Sequence, residues 1–146
     1  MARYMSGKDC VVLQGGTTNV KPVSEFALKE ELESQVAPAL KITGVDNEDG
    51  TGKVTIQAQD VNGNDLAGRF LFRVWRGASA YADSTAITDF DVDTGAILET
   101  VTANADFEVI TDDAGKVVMD VEDAAEHHIM ATAGGPIYAF EITVTN

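Results

Sequence analysis

The 146-residue chain has one cysteine, Cys10, so an internal disulfide and any metal site built from several thiolates are excluded. Cys10 is followed by Val11, Val12 and Leu13, which reads as a small hydrophobe in a short extended run. No paired base is identifiable for it, so a catalytic thiol is not expected. No apolar run approaches the ~20 residues that a bilayer-spanning helix needs. The first ten residues lack the apolar stretch of a signal peptide, which predicts a chain made and used without Sec export.

Positive charge is also scarce. Ten Lys and Arg stand against 24 Asp and Glu, a formal net charge of −14. The deficit is not spread evenly. Residues 1–41 carry five cations and five acids, whereas residues 42–146 carry five cations and nineteen acids. An acidic body of this kind repels phosphate backbones and anionic lipid, so neither nucleic acid nor membrane is an expected partner. The asymmetry suggests a neutral arm that docks and an acidic body that stays in solution.

Recognisable catalytic sets are missing as well. His127 and His128 are adjacent in a predicted strand, so they point to opposite faces and cannot hold one metal together. Gly7-Lys8 lacks the remaining residues of a phosphate-binding loop, and no Gly-x-Ser-x-Gly elbow occurs. Asp60-x-Asn62-x-Asn64 has the alternating oxygens of a calcium loop without its downstream bidentate Glu. Asp89, Asp91 and Asp93 form a second acidic series. Both are read first as turn and solvated-loop residues, because Asp is favoured in turns for its bonds to nearby backbone. No cofactor, no metal and no enzymatic activity are expected.

What the chain does contain is alternation. A hydrophobic content of 45% in 146 residues suits one globular domain with an appendage. The clearest stretch runs from Gly52 to Gly77. Val54, Ile56 and Ala58 alternate with Lys53, Thr55, Gln57 and Gln59, the period of two that puts apolar residues on one face. Asn62-Gly63 in the following segment suits a tight turn. Beyond it, Phe70, Phe72 and Val74 fall on one side, and Arg69, Leu71, Arg73 and Trp75 on the other. The pattern predicts a hairpin with one core face. Its second face mixes cations with large apolar groups, which suits either a contact surface or a half-buried edge with Trp75 lying over the arginine stems.

Residues 1–22 read as an irregular arm holding one β-like run, Cys10-Val11-Val12-Leu13. Such an arm cannot offset its own ordering entropy, so it needs a surface to lie against, either a partner chain or its own domain. Residues 23–41 read as a short helix capped by Ser24 and ended by Pro38, with a linker. Residues 43–52 read as a turn-rich hinge and residues 77–96 as a long loop, a length that tends to carry function. Short strands are predicted at about 97–102, 106–110, 116–121, 127–132 and 137–145, the last with Tyr138, Phe140, Ile142 and Val144 on one face. Short strands separated by turns at this spacing predict a mainly β, antiparallel sandwich.

Two blocks carry a resemblance. Asp60-Val-Asn-Gly-Asn-Asp-Leu-Ala-Gly68 resembles the "D-x-N-G-N-P-V-x-G" segment of bacterial Ig-like domains of the invasin/intimin type 1 kind, with Asp65 where Pro is common. Thr111-Asp-Asp-Ala-Gly-Lys-Val-Val-Met-Asp-Val121 resembles the later "T-D-x-x-G" strand of the same domains. The arrangement of arm, helix and one such domain is similar to small virion proteins of tailed bacteriophages. The resemblance implies an Ig-like sandwich over 42–146, preceded by the arm and helix. It also implies a non-enzymatic virion protein, first of all a capsid decoration (cement) protein that binds the major capsid protein or other virion subunits. The alternative is an Ig-like adhesion module of a phage tail or fibre that recognises a host-surface glycan or protein. A homo-oligomer, with a trimer plausible, is expected from surfaces that need cover. The expected partner-binding residues are Cys10, Val11, Val12 and Leu13 of the arm, with Arg69, Leu71, Arg73 and Trp75 of the strand.

Overall fold

The computed structural model describes residues 37–146. Nine strands form within them: β1 (Ala39–Asp46), β2 (Thr51–Gln59), β3 (Leu71–Gly77), β4 (Asp89–Thr94), β5 (Ala96–Thr102), β6 (Asp106–Ile110), β7 (Lys116–Glu122), β8 (Glu126–Thr132) and β9 (Tyr138–Thr143). They make a four-stranded sheet in the order β1-β2-β7-β4 and a five-stranded sheet in the order β5-β6-β3-β8-β9, with every named pairing antiparallel.

The two sheets face each other across one apolar core. Val54, Ile56 and Ala58 of β2 and Val117, Met119 and Val121 of β7 meet Phe72 and Val74 of β3 and Ile129 and Ala131 of β8. All ten are fully buried. Phe90 of β4 reaches across to Phe107 of β6, with ring centroids 6.0 Å apart and planes tilted by 42°, within the range favoured for aromatic pairs. Burying a side chain as large as phenylalanine contributes roughly 1.5–3 kcal/mol, so this layer favours closing the sandwich.

Four expectations change. The segment 52–77 is not a hairpin. β2 lies in one sheet and β3 in the other, so residues 60–70 cross between sheets. The Asn62-Gly63 turn does form, but it returns the chain for only one isolated bridge, Gln59 with Asp65. The long loop 77–96 holds a strand, β4, whose Phe90 is buried between half-buried Asp89 and exposed Asp91. The hinge read at 43–52 is largely the ends of β1 and β2, paired from Ala39↔Gln59 to Asp46↔Gly52. Finally, no helix occurs among the described residues. The helix expected in 23–41 lies mostly outside them, and residues 39–41 open β1.

The glycines explain why β1 escaped a reading by pattern. A Cβ on Gly44 would stand 2.8 Å from the Phe140 ring, so glycine there makes room for a neighbour and does not mark a turn.

The two sequence blocks at 60–68 and 111–121 meet. The Gly68 amide donates to the Asp113 carbonyl at 2.8 Å, and the Thr111 hydroxyl donates to the Gly68 carbonyl at 3.0 Å. Gln57 Nε2 donates to the Ala114 carbonyl at 3.0 Å, tying the same turn to β2. At the other end of the sandwich, the Thr145 hydroxyl donates to Asp46 at 2.6 Å, which joins the end of β1 to the residues after β9.

Candidate interaction face

The outer face of the five-stranded sheet is the surface on which the strand half of the expected partner-binding set falls. Cys10, Val11, Val12 and Leu13 lie outside the described residues. Leu71, Arg73 and Trp75 alternate with buried Phe72 and Val74 and so point outward from β3. Arg69 stands just before the strand, exposed, with its Nε 4.0 Å from Asp113. Its charge is thus directed to the 111–116 turn.

Much of this face is satisfied from within. Arg73 lies opposite Glu108 in the β3–β6 register and reaches diagonally to Asp106, with Nε to Oδ1 at 3.1 Å and Nη2 to Oδ2 at 2.6 Å. Its guanidinium carbon also sits 5.5 Å from the centre of the Trp75 ring system, inside the range of a cation–π contact. The bond to Asp106 raises the Arg73 pKa further above its ordinary value, with the charges of Asp106 and Glu108 adding to it and burial opposing. The indole N–H of Trp75 donates to the Ala82 carbonyl at 2.9 Å. The segment after β3 thus crosses the outer face, and outward-facing Met130 of β8 is fully buried beneath it.

Among the described residues, a groove of about 260 Å³ lies beside this cover, lined by Leu71, Phe72, Arg73, Glu108, Thr132, Ala133 and Gly134. It has an apolar floor, an arginine and a carboxylate. Ala37 stands next to its rim: a Cβ on Gly135 would stand 3.1 Å from the Ala37 methyl.

The opposite sheet presents a different surface. On β4 and β7, Asp89 stands opposite Glu122 and Asp91 opposite Asp120. Lys53 bridges Asp93 at 3.1 Å and Asp120 at 2.6 Å. Like charges directly opposite each other are unfavourable, and Lys53 relieves only one end of the ladder.

Asp60 acts as a turn cap, with its Oδ1 accepting from the Asn62 and Asn64 amides at 2.9 Å each. These bonds hold its carboxyl below the usual range. His127 and His128 do point to opposite faces. His127 is fully buried, and its Nδ1 accepts from Arg76 Nε at 3.1 Å. Arginine can only donate, so Nε2 carries the proton and donates to the Asp123 carbonyl at 2.8 Å. Burial lowers the Arg76 pKa, partly offset by the charge of Asp123. His128 faces outward, and among the described residues its ligand atom converges with those of Glu126 and Glu141, all within 4.8 Å of one another.

Sequence reading missed Asp106, Glu108 and the Glu126/His128/Glu141 set. Alternation in 106–110 signals the outward carboxylates, and Glu-x-His within one strand places two ligands on one side. The cross-strand partner in each case needs the register. Comparison of the chain with protein-family models and with curated proteins gives no match.

Proposed function

We propose that this chain is a non-enzymatic structural virion protein of a tailed bacteriophage, a capsid decoration (cement) protein whose Ig-like body is held on the head shell through the outer face of the five-stranded sheet. The strand order supports the Ig-like reading. Taking β1, β2, β3, β4, β7, β8 and β9 as A to G in chain order gives sheets A-B-E-D and C-F-G, the constant-type immunoglobulin arrangement. β5 and β6 are then a hairpin inserted between D and E that extends the sheet beyond C. The junction between the 60–68 and 111–121 blocks, which carry the bacterial Ig-like resemblance, supports it further.

The observation that carries the functional reading is the groove on the outer face of the five-stranded sheet, which has an apolar floor and Arg73 at its side. A protein that binds the assembled shell and not its free subunits shifts disassembly by mass action, with no chemistry required. The major capsid protein is the partner this reading names, with the groove as its seat.

The test compares particles with and without the chain, by electron microscopy and by heat-induced genome release. Added density on the shell and release at higher temperature are expected when the chain is present. Particles that lack it and keep unchanged heat resistance would overturn the cement reading. Loss of host adsorption in those particles would instead favour the adhesion module of a tail or fibre.

A further inference from the structure

We infer that Glu126, His128 and Glu141 form a binding site for one divalent transition-metal ion of the zinc class, on the outward side of the β8–β9 edge. The three residues come from two hydrogen-bonded strands. His128 stands directly opposite Glu141 in the register, and Glu126 lies two residues before His128, on the same side of β8. His128 Nε2 is 3.8 Å from Glu126 Oε1 and 3.9 Å from Glu141 Oε2. Two ligands of one tetrahedral ion with bonds of ~2.0–2.1 Å lie roughly 3.4 Å apart. Closing the observed gaps therefore takes about half an ångström, within reach of a carboxylate rotation, with the strands fixed.

Two further features distinguish this set from ordinary surface acids. First, the donor set is mixed. One imidazole nitrogen and two carboxylates suit zinc and its neighbours, whereas calcium and magnesium take oxygen ligands. Second, the exposure is graded. The His128 side chain is 15% exposed, while those of Glu126 and Glu141 are 58% and 53% exposed. The imidazole is thus held by its surroundings, and the carboxylates leave room for an ion to arrive and for water to complete its shell. Among the described residues, no lysine or arginine forms an ion pair with either carboxylate. A bound cation would offset the two like charges, which stand diagonally across the β8–β9 pair. It would also tie the edge strand β9 to β8 by side chains in addition to the backbone ladder.

The experiment uses the full chain, free of any histidine tag and stripped with chelator, titrated with Zn²⁺ by calorimetry and followed by thermal melting. One saturable site per chain and a rise in melting temperature reversed by chelator are expected. His128→Ala and Glu141→Gln should each remove the saturable phase. Glu141→Gln keeps the shape of an exposed side chain, so it remains informative if the histidine variant folds poorly. Absence of saturable Zn²⁺ binding to the wild-type chain would overturn the site. So would binding that survives both substitutions, or Ca²⁺ giving the same rise in wild type and variants, since either would assign the ion to the diffuse acidic surface.

Discussion

Arg73 and Asp106 form a two-point ion pair of unequal burial: the carboxylate side chain is 4% exposed and the guanidinium side chain 50%. Asp106 also lies opposite Trp75 in the β3–β6 register, so the arginine that neutralises it covers the indole as well. The burial of Asp106 thus depends on a residue that also belongs to the candidate interaction face, and structural and docking roles meet in one side chain.

Removing that partner should therefore be felt in the isolated protein. Arg73→Ala leaves a buried carboxylate without its two charge-assisted bonds and is expected to cost about 1–3 kcal/mol, water reaching the vacated site making up the rest. Arg73→Lys should recover only part of this, because a single ammonium cannot reproduce the two-point geometry. Phe72→Ala, in the fully buried layer, should cost more, about 3–5 kcal/mol, and Phe140→Ala less than Phe72→Ala because Phe140 is only half-buried. Urea denaturation of the four variants checks the order, and an Arg73→Ala loss larger than that of Phe72→Ala would refute the assignment of faces.

A pH dependence follows from Asp46. Its carboxyl is held below the usual range by the Thr145 hydroxyl, then by the Glu48 and Thr145 amides. A group whose folded pKa is depressed stabilises the fold above its unfolded value, near 3.9, and that contribution disappears as pH falls through the lower folded value. Asp46→Asn should therefore lower the melting temperature at pH 5 and flatten its decline on acidification, with the two curves converging at the acid end. Parallel curves between pH 5 and 2 would show that Asp46 does not contribute in this way.

Two glycines separate backbone conformation from space. Gly63 has φ +82° and nothing within 4 Å of an added Cβ, whereas at Gly115, with φ +76°, that Cβ would stand 2.0 Å from the Leu66 carbonyl oxygen. Gly63→Ala should cost only the left-handed penalty, about 1–2 kcal/mol. Gly115→Ala must also push apart the junction of the 60–68 and 111–116 segments, and a loss above about 4 kcal/mol is expected. Equal losses in chemical denaturation would mean that this junction yields freely.

The alternation of the sequence determined which residues face the core. Val54, Ile56, Ala58, Phe72 and Val74 were legible from it, as were five later strands and the outward set Leu71, Arg73 and Trp75, because side-chain direction in a strand follows from local geometry alone. β4 was legible in principle, since Asp-Phe-Asp-Val-Asp alternates, but its acids read as a loop. What only the tertiary structure decided was pairing. Both β2 and β3 present an apolar face to the same core, from opposite sides, and the pattern is identical whether they are neighbours or stand across the sandwich. Gly44 reads as a break until Phe140, from a distant strand, is seen to fill the space above it. Asp106 gains Arg73, and His128 gains Glu141, through cross-strand register, which the packing of the whole core fixes and no local stretch encodes.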